Sequence, residues 1–154
     1  MILLLLAFFI FNLITCNLYP TVWCDEVTYS EPAVNWAKTG RFTTTVWQLQ
    51  PPGTFPAAYP PLYTLALCPW VKLWGGSVPA VRSFNFLLMT LAAFFFWWAC
   101  WRCRLVGNFS GRIWAGISAL LGFGMSYSYR CSRPDVLGML ILVLLLRSEE
   151  HTSE

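Results

Sequence analysis

The stretch from Ile2 to Trp23, ILLLLAFFIFNLITCNLYPTVW, carries no charged side chain. A helix satisfies its own backbone groups, and about 20 apolar residues in that form reach across a hydrocarbon core of roughly 30 Å. The run therefore predicts a membrane span over about 2–23. A cleaved signal peptide is the competing reading. It calls for a basic n-region and a small-residue cleavage site, and the sequence offers neither clearly; LITC, ending at Cys16, resembles a lipoprotein box except for Thr15 before the cysteine. Three more apolar runs follow, over about 81–101, 113–129 and 135–146, the first of these ending in the aromatic FFFWWACW. Trp and Tyr at span ends fit anchoring at a bilayer interface. Composition agrees: 57% of the chain is apolar and only 11% charged, against about 25% charged in a soluble domain. The predicted fold class is an all-α integral membrane protein.

The final eight residues, RSEEHTSE from Arg147 to Glu154, interrupt the fourth run. They read as the in-frame translation of a sequencing-library adapter, or else as a short polar cytosolic tail. Treated as an adapter, 147–154 is set aside from the fold, as a fusion scar would be. Residues 1–146 are then expected to be the front piece of a longer protein, with its fourth span truncated. The only histidine, His151, goes with the tail, and nine Lys and Arg remain against four Asp and Glu. No block of like charge points to nucleic acid.

Between the first two spans lies a predicted loop, 24–79. Within it SEPAVNWAKTG reads as a short helix capped by Ser30, with Pro32 in its first turn and Gly40 as its stop. RFTTTVWQLQ reads as extended, and PPGTFPAAYPP is too rich in proline for a regular element. LYTLALCPWVKLW, closed by Gly75 and Gly76, is too short to span comfortably and is expected to lie along the membrane surface. The loop WRCRLVGNFSGR carries Arg102, Arg104 and Arg112 and no acid, which assigns it to the cytoplasm. The long first loop then faces outward, as does SYRCSRPD before the fourth span. The sequon at Asn108 falls on the cytoplasmic side.

In that topology all four acids outside the tail, Asp25, Glu26, Glu31 and Asp135, lie on the outer face, together with Arg82, Arg130 and Arg133. Charges near a bilayer tend to pair or to face a cavity. Guanidinium groups suit a phosphate, and a carboxylate can accept the proton of an attacking hydroxyl. The plainer reading of Asp25 and Glu26 is two solvated acids favoured by a helix N-terminus. For Arg130 and Arg133 it is interfacial anchoring or pairing with Asp135.

WCDEVTYSEPAVNWAKTGRF, YPPLYTLALCPWVKLWGGSVPAVRSFNFL and SYSYRCSRPDVLGMLILVLLL resemble, in order, three blocks of the C-type (GT-C) membrane glycosyltransferases. That group includes protein O-mannosyltransferases, aminoarabinose transferases and bacterial enzymes of similar architecture. The shared features are an Asp-Glu after the first span, a Pro-Pro-Leu before a surface helix, an Ala-x-Arg opening the second span, and an Arg-Pro-Asp entering the fourth. The resemblance covers 1–146. It implies a multi-span helical bundle in the plasma membrane, bacterial in setting, with its site facing outward. A sugar would pass, with inversion, from a polyprenyl-phosphate carrier to a lipid, glycan or protein acceptor. It also implies Asp25 as general base, Glu26 as its companion and Asp135 as a second acid of the same cavity. Arg130 and Arg133 are assigned to the donor phosphate on charge and placement. Ala58 and Tyr59 stand where aminoarabinose transferases carry Glu-Lys before the Pro-Pro, which argues against an aminoarabinose donor.

No metal site is expected. Cys100 and Cys103 have C-x-x-C spacing, but zinc wants a second ligand pair, and the sequence provides none. The motifs leave open the use of a divalent cation, and they leave open whether Cys24 and Cys131 pair. The alternative to an enzyme is a polytopic membrane protein such as a transporter. Transport pathways usually place ionisable groups near mid-membrane, whereas the first three runs here carry none at their centres.

Overall fold

The computed structural model describes residues 1–46, 51, 53–54 and 61–148. Seven helices occur among them: α1 (Ile2–Thr15), α2 (Cys24–Thr39), α3 (Leu62–Trp74), α4 (Val78–Arg102), α5 (Phe109–Leu121), α6 (Phe123–Arg130) and α7 (Asp135–Ser148). There are no strands among the described residues; Thr44 and Thr54 form an isolated antiparallel bridge.

Helix α4 is the axis of the bundle. Its start is well specified: Ser77 accepts a bond from the Ala80 amide, and Pro79 sits in the first turn, where its missing N–H costs nothing. The helix packs against α1, α3, α5, α6 and α7. Phe86, Met89, Ala92 and Ala93 are fully buried on it, and their mix of large and small side chains lets neighbouring backbones approach closely. Tyr129 joins two of these contacts, edge-on to Phe8 of α1 at 5.2 Å and to Phe86 at 6.2 Å. With 25 residues, α4 is also the one helix among the described residues long and apolar enough to cross a membrane. Leu3, Phe11 and Ile14 of α1 and Leu142 and Leu145 of α7 are exposed. Uncovered apolar faces of this kind fit a lipid-facing exterior better than a water-facing one.

Two predicted spans differ from what forms. The first is not a helix over 2–23: α1 ends at Thr15 and has 14 residues, about 21 Å of rise. The chain turns after it because Cys16 and Tyr19 give their carbonyls to Arg82 and Arg130. The third, 113–129, is two helices, since Gly122 between α5 and α6 takes an extended conformation (φ −55°, ψ 128°). The second and fourth predicted runs form helices α4 and α7, of which only α4 is long and apolar enough to cross a membrane among the described residues; α7 continues through Arg147 to Ser148, and Glu149–Glu154 lie outside the described residues.

The predicted loop 24–79 is largely helical. Helix α2 starts at Cys24, six residues before the expected Ser30 cap, with Asp25 and Glu26 in its first turn. Acids there are favoured by the helix dipole, as Lys38 is in the last turn. Ser30 lies inside the helix and bonds back to the Glu26 carbonyl at 2.6 Å. The expected stop holds: Gly40 adopts φ 72°, a left-handed cap that a side chain would strain. Helix α3 occupies the expected residues and packs against α2 and α4, burying Tyr63, Leu67, Cys68 and Val71. Trp47–Gln50 of the predicted extended stretch, and Pro52 and Phe55–Pro60 of the proline-rich stretch, lie outside the described residues.

Candidate functional site

The acids of α2 separate as soon as the helix forms. Successive residues on an α-helix point about 100° apart, so Asp25 and Glu26 cannot share an environment. Glu26 turns into the bundle, where its carboxylate meets Arg82 of α4 in a two-pronged pair, Nε to Oε1 at 2.7 Å and Nη2 to Oε2 at 2.8 Å. Both side chains are almost completely buried, at 1% exposure for Arg82 and 4% for Glu26. The remaining terminal nitrogen of Arg82 donates to the Cys16 carbonyl. Each charge is thus matched and hydrogen-bonded, the condition on which a buried pair is tolerated.

Asp25 turns the other way. Its Oδ2 accepts from Arg133 Nη1 at 3.3 Å, across 108 residues of sequence. Arg133 also donates from Nε to Asp135 Oδ2 at 3.0 Å, and Ser128 Oγ donates to the same oxygen at 3.0 Å. The result is a guanidinium between two carboxylates, partly open to the outside: Arg133 is 32% exposed, Asp25 33% and Asp135 47%. Neither acid engages Nη2 of Arg133. Burial acts to lower the Arg133 pKa, but the charge and hydrogen bond of Asp135 and the charge of Asp25 outweigh it and raise the pKa above its ordinary value. Arg133 is therefore a fixed cation at any accessible pH.

The turn that carries Arg133 is held from beneath. Ser132 adopts φ 51°, an uncommon conformation outside glycine, and the Arg133 amide donates back to the Ser128 carbonyl at 3.1 Å. Asn85, buried on α4, donates to the Arg133 carbonyl at 2.9 Å and accepts from the Tyr63 hydroxyl at 2.9 Å. Tyr63 is itself buried, which pushes its hydroxyl well above the usual tyrosine range, helped by the nearby charge of Glu26. That hydroxyl is therefore a dependable donor. Beside the charged group lies an apolar cleft of about 200 Å3, lined by Tyr29, Leu62, Tyr63, Pro134, Leu137 and Ile141.

The structure thus brings together three of the five residues expected at the site: Asp25, Asp135 and Arg133. Glu26 stays adjacent but faces the core. Arg130 points away from the group. Its Nη1 donates to Asn12 Oδ1 at 2.7 Å, its Nη2 to the Thr15 and Tyr19 carbonyls at 2.9 and 2.7 Å, and its Nε also to Tyr19. It therefore ties α6 to the end of α1. Sequence reasoning placed Arg82 on the outer face without a partner, and it passed over Asn85, Ser128 and Tyr63 altogether. Helical spacing held part of that signal: Arg82 and Asn85 are three apart and share one face of α4.

Glu31 lies apart, further along α2. Its carboxylate accepts from Thr44 Oγ1 at 2.7 Å, from the Thr45 amide at 2.9 Å and hydroxyl, and from the Val46 amide at 3.2 Å. Burial acts to raise its pKa, and these hydrogen bonds outweigh burial and lower it. Among the described residues no group of three or more His, Cys, Asp or Glu is placed to hold a metal ion, and Cys24 and Cys131 are both free thiols. No family model, curated protein or solved structure matches the chain.

Proposed function

We propose that the chain is the N-terminal part of a membrane glycosyltransferase, a GT-C-like enzyme that moves a sugar from a polyprenyl-phosphate carrier to a hydroxyl acceptor on the outer face of the membrane. The observation that carries this reading is the convergence of Asp25, Arg133 and Asp135 from distant parts of the chain onto one partly open group. The group combines the two things such a transfer needs, a carboxylate for the incoming proton and a cation for the departing phosphate. The neighbouring apolar cleft is suited to the first units of a polyprenyl chain.

In this mechanism Asp25 accepts the proton of the acceptor hydroxyl as its oxygen attacks the anomeric carbon. The new glycosidic bond forms on one face of the sugar while the bond to the carrier phosphate breaks on the other, inverting the centre. The bonding pair leaves with the phosphate oxygen, whose growing charge Arg133 neutralises through the edge its two acids leave open. Asp135, held by Ser128, keeps Arg133 oriented and contributes the second acid of the cavity. Glu26 supports Asp25 indirectly, by fixing the first turn of α2 against α4.

Membranes containing the full-length protein, supplied with polyprenyl-phosphate sugars and an acceptor, provide the test. Asp25→Asn is expected to remove transfer while expression and membrane insertion persist. Transfer at the unmutated rate in that variant rules out the general-base role.

A further inference from the structure

At the far end of α2 from the acids lies a second concave site. We infer that the cleft between Lys38 of α2 and Lys72 of α3 binds the phosphate of an anionic phospholipid headgroup. It has a volume of about 230 Å3 and is lined by Val34, Lys38, Val71, Lys72, Gly75 and Gly76 among others, with no acid among its lining residues. The site rests on the reading of α4 as a membrane span, and on nothing in the glycosyl-transfer chemistry.

Its depth in the membrane follows from how α3 is fastened. Trp70 Nε1 donates to the Ala80 carbonyl at 2.9 Å and contacts Ser83 Oγ at 3.1 Å, so the last turn of α3 is pinned to the first turn of α4. Lys72 therefore stands at the level where the spanning helix emerges from the bilayer, the depth of lipid headgroups. Leu73 and Trp74 next to it are 77% and 65% exposed, as residues dipping into an interface would be. Gly76 lines the cleft against Val34: a Cβ there would stand 2.8 Å from Val34 Cγ1, so a side chain at 76 would displace Val34.

The charge balance favours an anion. The C-terminal ends of α2 and α3 each contribute roughly half a negative charge, and the two ammonium groups more than cancel them. Lys72 is also held in place, its Nζ 5.7 Å from the centroid of the Trp36 ring. Its position does not have to be organised on binding. A phospholipid suits the surroundings better than a free anion, since Leu62, Leu65, Leu73 and Trp74 leave α3 with exposed apolar side chains for its tails.

The test uses the purified chain in detergent micelles, titrated with phosphatidylglycerol or phosphatidylcholine and read by native mass spectrometry. Phosphatidylglycerol is expected to bind in preference. Replacing both lysines (Lys38→Gln with Lys72→Gln) should weaken it by about thirtyfold, with helical circular dichroism unchanged, while Lys38→Arg with Lys72→Arg should retain it. Equal binding of the two lipids, or equal binding to the glutamine variant, overturns the site. Displacement of phosphatidylglycerol by millimolar inorganic phosphate overturns its lipid source. Extraction of the membrane-bound chain by alkaline carbonate keeps the two premises apart: release overturns the spanning role of α4 and this site with it. A chain that stays embedded yet shows no headgroup preference overturns the site alone.

Discussion

Two acid–arginine groups sit one residue apart on α2, and they are built on opposite principles. Glu26 and Arg82 are sealed in the core, joined by two short hydrogen bonds, and all three nitrogens of the arginine are used. Asp25, Arg133 and Asp135 are about a third to a half exposed, joined by single longer bonds, with Nη2 of the guanidinium engaged by neither acid. The first arrangement has no capacity to bind anything else. The second holds its charges together loosely, as the proposed transfer requires. The same chemical pairing thus serves as a lock in one place and stays open in the other, and burial decides which.

The largest expected effect breaks the comparison on the open side. Asp25→Asn should lower sugar transfer by about 10²- to 10⁴-fold, the usual contribution of a positioned base. Its effect on thermal stability should stay within about 1 kcal/mol, as for an exposed pair. A comparable loss of stability would show that the open group is a second lock. On the closed side, Arg82→Ala should destabilise the fold by about 3–5 kcal/mol, because Glu26 is left buried and unpaired. Denaturant unfolding in micelles measures it, and a change below 1 kcal/mol would mean that water reaches Glu26. Replacing both partners by apolar residues of similar size should restore much of that stability.

Ser128→Ala sharpens the difference more gently. It removes one of the two hydrogen bonds to Asp135 Oδ2 and should cost about 1 kcal/mol, or roughly fivefold in transfer, with little change in melting temperature. The smallest effect concerns Glu31. Its carboxylate pKa is lowered in the fold from an ordinary 4.5, so its hold on the 41–46 segment is complete above that pH. The hold is lost as pH falls through the lowered value. Proteolysis of the segment should therefore increase as the solution is acidified through that lowered value, and Glu31→Gln should remove this dependence while raising cleavage at neutral pH.

Hydropathy made α4 and α7 legible, and the acids in the first turn of α2 and the glycine after its last were readable as helix ends. It missed the break at Gly122 and the early end of α1, because a running average counts apolar residues and is blind to which carbonyls are needed elsewhere. At the site, Asp25, Arg133 and Asp135 were singled out from charge, topology and resemblance. Their division from Glu26 and Arg130 was hidden: residue type does not reveal that one guanidinium faces a buried carboxylate, another the carbonyls at a helix end, and a third two open acids. Asn85 and Tyr63 were hidden for a related reason. A polar residue in an apolar run looks like noise until the turn it supports is known.

The arginine at the end of α6 has a consequence for how the protein is made. Asn12, Thr15 and Tyr19 hold a residue that is synthesised more than a hundred positions later. The opening helix has the apolar composition of an export signal, yet it has to be waiting in place when α6 arrives. Without it Arg130 would lose its partners Asn12 and Thr15, and the half-buried end of α6 would be left with an unmatched charge. The opening segment is thus a working part of the helix packing, fastened by a residue from far along the chain.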